Sequence, residues 1–381
     1  MAWRVLASVA LPIALMVSSV LPAFAAETLK IGAVVSATGP ASFLGEPEKN
    51  TLLLLQDQLN AKGGIGGSKV EVIIYDDESD VNKAVLATEK LLKKDQVSAV
   101  VGPSISGNTL AIMGKVAEAK VPLVSMAAAE KIVNPINPWV FKTAQADRLA
   151  VAKLLSHAKA QGVAKVAILT VSDGYGQTGR EVLKELVPAQ GMELVADEVY
   201  GPKDTDMTAQ LTKIGSTGAQ AVICWGTNPG PAVVARNRAQ LGMKTPLYMS
   251  HGVASAKFIE LAGESAEGLV LPASWIIVAD QMPDGPFKSL LQGYIAEYKQ
   301  KFGVAPSAFG GYAWDALMLL AEAARVSGAT TPQALRDGLE KIKGFQSATG
   351  VFNFSATEHN GLDDSSFAMV RIEGGKFVLL K

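Results

Sequence analysis

The sequence predicts an α/β protein with two parallel β-sheets, each covered by helices on both faces. Short apolar runs alternate along the chain with helical segments of about 10–15 residues, a pattern that is typical of βαβ units. The alternation runs from residue 29 to residue 124 and starts again after residue 145, which indicates two such sheets. A length of 381 residues and a hydrophobic content of 49% are sufficient for two apolar cores.

The first run contains four apolar strands and three helices. Its second helix has the clearest signals, because Asp80 can cap the start and Val85 and Leu92 fall on one helical face. Gly63 and Gly64 end the first helix. The predicted strands are residues 29–35, 70–75, 99–101 and 123–124, and the predicted helices are residues 48–61, 80–94 and 108–119.

The second run continues the same alternation and ends in three helices and an antiparallel tail. The predicted strands are residues 165–170, 193–200, 221–225, 247–249 and 268–271, with helices at residues 148–161, 178–190, 208–216, 232–240 and 256–262. The later helices are residues 287–302, 311–327 and 332–342, and the tail strands are residues 351–354 and 367–380. No long Pro- or Ser-rich linker separates the two runs, so we expect short crossings between two lobes. Open α/β sheets bind ligands beyond the carboxyl ends of their strands, which predicts a site in the cleft between the lobes.

Residues 1–25 have the features of a secretory signal peptide that is cut before Ala26. Arg4 supplies the positive start, residues 5–20 are almost entirely apolar, and Ala23 and Ala25 stand at the small-residue positions of the cleavage site. The apolar run is short for a membrane anchor, which needs about 20 residues. No cysteine lies near the cleavage point, so we expect an exported protein without a lipid anchor.

The charged residues and the cysteine content exclude several functional classes. The chain has 35 Lys and Arg residues against 36 Asp and Glu residues, whereas a nucleic-acid scaffold would show a basic excess. Cys224 is the only cysteine, so no internal disulfide or multi-thiolate metal site can form, and we expect this thiol to be buried and inert. The acidic residues 76–80 lack the spacing of a calcium loop, and we interpret them as a solvated loop with a helix cap. We expect no metal and no cofactor.

The segment at residues 102–109 reads GPSISGNT, follows a strand and opens a helix. It resembles a phosphate-binding loop, but Asn108 stands where that loop has its lysine, which argues against nucleotide binding. Free N–H groups at a helix start still favour an anion, and the Ser106 hydroxyl adds a donor. A ligand carboxylate therefore fits beside Ser106 and Gly107. The alternative is that Ser106 serves only as a helix cap.

Three loops of the second run also follow strands and therefore face the predicted cleft. They bring Tyr175, the pair Thr227 and Asn228, and His251 to that side. An aromatic ring with a few hydrogen-bonding groups is typical of a pocket for a small, partly apolar ligand. Ordinary turn chemistry is the alternative for these loops. For His251 we favour a neutral hydrogen-bonding role over general-base catalysis, and a structural role stays open. No nucleophile elbow of the G-x-S-x-G type is present, so we do not expect an enzyme.

Several short motifs, taken in order, resemble one known family. They are residues 29–32, 38–40, 60–65, 75–77, 101–103 with Ser106, 175–176 and 262–268. Together they resemble the leucine/isoleucine/valine-binding family of periplasmic solute-binding proteins, which serve ABC importers. The resemblance covers the whole chain after the signal peptide.

The resemblance implies a type I periplasmic-binding fold, in which two doubly wound parallel-sheet lobes are joined by three hinge crossings. It implies a first lobe of residues 26–144 and 274–349 and a second lobe of residues 145–273 and 350–381, with crossings near residues 143–145, 272–274 and 349–351. It also implies a monomer in the periplasm that captures a small molecule by hinge closure and delivers it to the permease of an ABC transporter.

The same resemblance assigns the carboxylate of the ligand to Ser106, Gly107 and the segment Ala127, Ala128 and Ala129. Many family members have threonine where this chain has Ala129, so one hydroxyl donor is missing here. The family has aromatic contacts that correspond to Phe43 and Tyr175, and a second tyrosine position corresponds to Thr227. The acidic residue that pairs with the ammonium group of the ligand in amino-acid binders is replaced here by His251.

A desolvated ammonium group without a carboxylate partner is costly. The sequence therefore favours a ligand with a carboxylate and no α-ammonium group, such as an aromatic or short aliphatic acid. We expect its apolar part to contact Phe43, Tyr175, Trp275 and Phe309. The alternative ligand is a branched-chain or other hydrophobic amino acid in the same transport role. A ligand-sensing module and an exported α/β enzyme are the alternatives from other functional classes.

Overall fold

The computed structural model describes Met1 and residues 28–380, so the predicted signal peptide lies outside the described residues apart from Met1. The first sheet is fully parallel and has the strand order β2-β1-β3-β4-β5. Its strands are β1 (Leu29–Val35), β2 (Val70–Asp76), β3 (Ala99–Val101), β4 (Leu123–Ser125) and β5 (Val140–Lys142). The helices of this run are α1 (Ser42–Ala61), α2 (Val81–Lys90) and α3 (Ser106–Ala119).

The second run builds a larger sheet. Its helices are α4 (Asp147–Ala160), α5 (Gly174–Ala189), α6 (Thr208–Gly215), α7 (Gly230–Gln240) and α8 (Ala256–Ala262), and its strands are β6 (Lys165–Val171), β7 (Glu193–Tyr200), β8 (Ala221–Trp225), β9 (Leu247–Met249) and β10 (Val270–Ser274). The remaining elements are α9 (Pro286–Phe302), α10 (Ala308–Ser327), α11 (Pro332–Glu340), β11 (Phe345–Gln346), β12 (Val351–Phe352), β13 (Phe367–Glu373) and β14 (Lys376–Leu379). The sheet order is β14-β13-β10-β9-β8-β6-β7, in which β13 is antiparallel to both of its neighbours.

These two sheets confirm the predicted fold class, and each has its own buried core. In the first lobe, Ile31, Val101 and Phe141 pack with Phe309 and other residues of α10. The second core includes Leu169 and Cys224, and its apolar strands read as continuous hydrophobic runs, as expected for sheets covered on both faces. No helix among the described residues is long and apolar enough to cross a membrane.

The elements that differ from the sequence prediction include two helices and one strand. Helix α1 begins at Ser42 rather than at residue 48, so Pro47 lies inside the helix. Helix α5 begins at Gly174, four residues earlier than predicted, because Asp173 caps it by accepting a hydrogen bond from the N–H of Gly176. Strand β5 is an edge strand of only three residues, which the sequence analysis did not predict.

The chain passes between the lobes three times. The first passage lies between β5 and α4. Pro272 and Ser274 are still paired with β13, so the second passage begins after Ser274. Phe352 and Phe354 belong to the core of the first lobe, so the chain enters the second sheet only after residue 362, later than predicted.

One side chain connects these passages. Gln145 accepts a hydrogen bond from the Tyr312 hydroxyl at 2.9 Å, and its amide donates to the Ser366 carbonyl at 3.0 Å and to the Ser274 hydroxyl at 3.2 Å. Because Gln145, Ser274 and Ser366 adjoin different passages, the three crossings form one hydrogen-bonded hinge. Nearby, the buried carboxylate of Asp315 accepts hydrogen bonds from residues 347–349 and fixes the turn between β11 and β12.

Candidate functional site

A cavity of about 310 Å³ lies between the two lobes. Loops that follow β1, β3 and β4, together with the start of α10, form its first wall. Loops that follow β6, β7, β8 and β9 form its second wall. The carboxyl ends of the two parallel sheets therefore face each other across this cavity, which is where such sheets place their ligands.

Ser106 lies in the first wall, at the start of α3, and its side chain is 3% exposed. Its hydroxyl oxygen accepts a hydrogen bond from the N–H of Ala129 at 3.2 Å and does not cap the helix. The hydroxyl proton remains available for a ligand. The side chain therefore does not act as the plain helix cap of the alternative interpretation.

Behind α3, buried acidic residues hold the first wall in place. Asp77 accepts hydrogen bonds from the Ser36 hydroxyl at 2.6 Å and from the Asn108 amide at 2.8 Å. Glu48 contacts the Ser104 hydroxyl, and burial raises the pKa of Glu48 well above its ordinary value. The interpretation of residues 76–80 as a solvated loop is therefore wrong for Asp77, which is fully buried, whereas Asp80 caps α2 as predicted. No group of three or more metal-ligating side chains assembles within residues 28–380.

The segment after β4 supplies backbone groups to the same wall. The ammonium group of Lys142 lies behind it and donates to the carbonyl of Ala128 at 2.5 Å. Burial lowers the pKa of Lys142 and raises the pKa of Asp147, and the opposite charge of each partly offsets that effect in the other. The ammonium group behind Ala128 favours an anionic ligand group at this end of the cavity, and the nearby carboxylate of Asp147 offsets part of that effect.

In the second wall, Tyr175 and His251 lie side by side. The Tyr175 hydroxyl is 3.4 Å from Nδ1 of His251, and the imidazole also packs edge-on against Trp225 and Phe367. Burial, followed by the charge of Lys142, lowers the pKa of His251 to about 3. The imidazole is therefore neutral at physiological pH, and its Nε2 atom has no hydrogen-bond partner among residues 28–380.

The loop after β8 and the end of β7 complete the second wall. Asn228 is 7% exposed, and neither atom of its amide group has a hydrogen-bond partner among the described residues. Tyr200 ends β7, and its hydroxyl lies near the weakly polar thiol of Cys224. Cys224 itself is fully buried, and burial raises the pKa of its thiol to about 12. Lys203 is exposed at the rim of the cavity.

Eight of the twelve site residues chosen from the sequence line the cavity. They are Ser106, Ala127, Ala128, Tyr175, Thr227, Asn228, His251 and Phe309. The other four lie behind it or away from it. Phe43 packs edge-on against Phe309 at 5.7 Å, and Ala129 donates to Ser106 from behind. Gly107 faces the other lobe at Gly174, and the indole of Trp275 donates to the carbonyl of Ser365.

Sequence reasoning missed other residues that line the cavity. They include Leu44, Ser79, Ser104, Asn108, Asp173, Tyr200, Lys203 and Tyr312. Tyr200 was detectable, because it is the last residue of a predicted strand and therefore lies at the carboxyl edge of the sheet. Tyr312 stands three residues after Phe309, a spacing that places both on one face of α10.

Comparisons with known proteins agree with this architecture. Residues 28–376 match the family described as periplasmic binding protein. The leucine-, isoleucine-, valine-, threonine-, and alanine-binding protein of Pseudomonas aeruginosa is 25% identical, with 87% of this chain and 86% of that protein covered. The Leu/Ile/Val-binding protein BraC3 of Rhizobium johnstonii is 26% identical, and the match covers 92% of this chain and 93% of that protein.

Solved structures show the same two-lobed arrangement. An extracellular ligand-binding receptor from Rhodopseudomonas palustris HaA2 is 33% identical and has a TM-score of 0.86. The match covers 93% of this chain and 99% of that chain. The branched-chain amino acid transporter substrate binding protein of Streptococcus pneumoniae, solved in complex with isoleucine, is 27% identical with a TM-score of 0.81, and 93% of this chain and all of that chain are covered. The family resemblance found in the sequence is thereby confirmed, and the chain belongs to the periplasmic binding protein family, with the type I fold.

Proposed function

We propose that the protein is the periplasmic solute-binding component of an ABC importer and that it captures an amino acid of the branched-chain type. The cavity between the lobes is the observation that carries this proposal. Ser106 and the Lys142-backed segment at Ala128 offer a place for a carboxylate, and Phe309 and Tyr175 offer apolar surface. Closure of the lobes around the ligand would then present one shape to a membrane permease.

The relatives support the amino-acid class of ligand. Two of them are named for binding leucine, isoleucine and valine, and a solved neighbour holds isoleucine. A volume of about 310 Å³ suits a ligand of that size. Asp173, a carboxylate in the wall of the cavity, is an acceptor that an ammonium group can reach.

A second candidate is a carboxylate ligand without an ammonium group, such as an aromatic or short aliphatic acid. The observation that favours it is His251, which is neutral and buried where amino-acid binders place an acid. A neutral imidazole offers an ammonium ion much less stabilisation than a carboxylate does.

Calorimetric titration of the ligand-free protein separates the two candidates. Protein that has been unfolded, dialysed and refolded is titrated with leucine, isoleucine and valine, and separately with benzoate and butyrate. We expect the amino acids to bind with micromolar or lower Kd, equivalent to about -8 kcal/mol or stronger. Binding of the acids alone would assign the site to the second candidate. No heat from either series would contradict carboxylate capture altogether.

A further inference from the structure

A second cavity, of about 540 Å³, lies in the second lobe and shares no lining residue with the cleft. We call it the Arg371 cavity, and its polar lining includes the side chains of His157, Gln220, Arg238, Tyr248, Glu267 and Arg371. Gln220, Pro246 and Leu269 line it and immediately precede β8, β9 and β10. The Arg371 cavity therefore lies at the amino ends of these strands, whereas the cleft lies beyond their carboxyl ends. Gln220 and Thr227 flank β8 and are separated by its length, about 20 Å.

Two guanidinium groups of the lining lack a strong carboxylate partner. Arg371, in β13, contacts the exposed carboxylate of Glu373 at 3.3 Å, and surface pairs of this kind contribute little. Arg238, near the end of α7, is half-buried and pairs with no carboxylate among residues 28–380. Its Nε atom donates to the carbonyl of Thr245 at 2.9 Å, and burial lowers the pKa of the group. Each guanidinium has five N–H donors, so both keep donors for a ligand.

Neutral side chains add further donors to the same lining. The Oε1 atom of Gln220 accepts hydrogen bonds from the N–H groups of Ala164 at 2.6 Å and Lys165 at 3.0 Å. The amide hydrogens of Gln220 are therefore the part of this side chain that remains for a ligand. The ring of His157 packs edge-on against that of Tyr248, with 6.0 Å between their centroids, and an imidazole or a phenol can each donate a proton to a ligand.

Acceptors are fewer in this lining than donors. Glu267 is the only acidic residue among the lining residues, and one of its carboxylate oxygens already accepts a hydrogen bond from the N–H of Gly374 at 2.9 Å. Such a lining suits a ligand group that only accepts, and guanidinium groups match the oxygens of carboxylate and phosphate.

We propose that the Arg371 cavity is a second binding site, which takes a small molecule that carries a phosphate or carboxylate group and holds that group through Arg371 and Arg238. The site is separate from the cleft, so the proposal does not depend on which ligand the cleft captures.

Titration calorimetry at low ionic strength, with inorganic phosphate and separately with citrate, tests the proposal on the native protein. We expect at least one of the two anions to bind with a Kd of about 1 mM or lower. Tighter binding of phosphate would assign a phosphate-bearing ligand, and tighter binding of citrate would assign a carboxylate-bearing one. The NMR signals of the His157 imidazole, assigned with His157→Gln, should shift during the titration, because this ring lines the cavity. No binding of either anion, or binding that leaves these signals unchanged, would overturn the proposal.

The variant Arg371→Gln removes one guanidinium and keeps a polar side chain. We expect it to bind the anion about ten-fold or more weakly, because a charge-assisted hydrogen bond is lost. Arg238→Gln should show a loss of similar size and provides a second test if Arg371→Gln folds poorly. Arg325→Gln is the matched control, because Arg325 is an exposed arginine of α10 in the first lobe that also pairs with a glutamate.

The same variants distinguish this site from the cleft. Ser106→Ala should keep the affinity for the anion, whereas Arg371→Gln should keep the affinity for leucine. A loss of anion binding in Ser106→Ala in place of Arg371→Gln would put the anion in the cleft, and an equal loss in Arg325→Gln would mean a diffuse attraction to surface charge. Either result would overturn the proposal and leave the proposed function intact, since leucine binding is measured separately.

Discussion

At the scale of single residues, the hydroxyl of Ser106 has two functions. It accepts a hydrogen bond from Ala129 within the first lobe, and we propose that it donates a hydrogen bond to the carboxylate of the ligand. These functions can be separated by measuring stability and affinity together, because only the second depends on ligand.

We expect Ser106→Ala to raise the Kd for the carboxylate ligand by roughly 5- to 150-fold, the range that corresponds to about 1–3 kcal/mol for an unpaired buried group. Isothermal titration provides the Kd, and urea unfolding of the ligand-free variant reports the loss of the bond to Ala129. Ser172→Ala, which removes an exposed hydroxyl, is the control. An unchanged Kd in Ser106→Ala would remove this residue from the site.

His251 makes stability depend on pH in a predictable direction. Its pKa falls from 6.5 to about 3 on folding, mainly through burial. Below pH 6.5 the unfolded chain therefore binds a proton that the folded chain refuses, so the free energy of unfolding decreases as the pH falls toward 3. The contribution is fully present above pH 6.5, and its slope is at most about 1.4 kcal/mol per pH unit.

Urea unfolding between pH 4 and pH 8 checks this expectation by comparing the native protein with His251→Gln. The variant should show a shallower decline below pH 6.5. His157 is the comparison, because its pKa is lowered less and it is only half-buried. Equal slopes in the native protein and His251→Gln would contradict a neutral, buried imidazole.

At the scale of elements, the starts of α3 and α5 meet across the cleft. A Cβ atom on Gly174 would lie 3.1 Å from Cα and 3.2 Å from the nitrogen of Gly107. These are backbone atoms of the opposite lobe, so an added methyl group requires the two lobes to move apart by a few tenths of an ångström. By contrast, a Cβ atom on Gly107 meets nothing within 4 Å.

This asymmetry provides a matched pair of variants. We expect Gly174→Ala to weaken ligand binding by about three- to ten-fold, because it disfavours the closed arrangement, and we expect Gly107→Ala to bind almost normally. Titration calorimetry gives both affinities, and thermal unfolding without ligand should be similar for the two. A Gly107→Ala defect as large as that of Gly174→Ala would mean that helix geometry, and not closure, is what matters.

The element predictions failed where a local signal conflicts with packing. The prediction began the first helix at residue 48, but α1 also includes the six residues before it, and Leu44 among them is buried. The glycines at 174 and 176 lowered the helical signal at the start of α5, although the missing side chain of Gly174 is what lets α5 approach Gly107 of the other lobe. Strand β5 has only three residues and no alternation that a sequence can reveal.

At the scale of the whole molecule, one of the contacts that bridge the cleft is an exposed ion pair. Lys131 contacts Glu181 at 2.7 Å, and the side chains are 51% and 60% exposed. Such surface pairs contribute little. We therefore expect contacts of a ligand with both walls to contribute to the preference for the closed arrangement.

Small-angle X-ray scattering should show a smaller radius of gyration when ligand is added to the ligand-free protein. Ligand at 100 times its Kd should also raise the free energy of unfolding by about 2.7 kcal/mol. Gly174→Ala at the same ligand concentration should remain more extended. A radius of gyration that does not change with ligand would contradict capture by hinge closure.

The general position of the site was predictable, whereas its electrostatics was not. The rule that ligands lie beyond the carboxyl ends of parallel strands was enough to select Ser106, Tyr175 and His251. The burial of Lys142 behind Ala128 was not predictable, because Lys142 ends the short strand β5 and the sequence does not show which loop this strand packs against. Trp275 was misplaced because the chain leaves the second sheet later than the resemblance implies.

The state of Cys224 has a practical consequence for measurement. The sequence contains no other cysteine, and this thiol is buried and protonated, so maleimide dyes leave the native protein unmodified. A single cysteine introduced at the exposed rim, as in Lys203→Cys, would then be the sole labelling position. A fluorophore attached there would change its surroundings whenever the lobes move, which makes the molecule suitable as an optical sensor for screening ligands without further engineering.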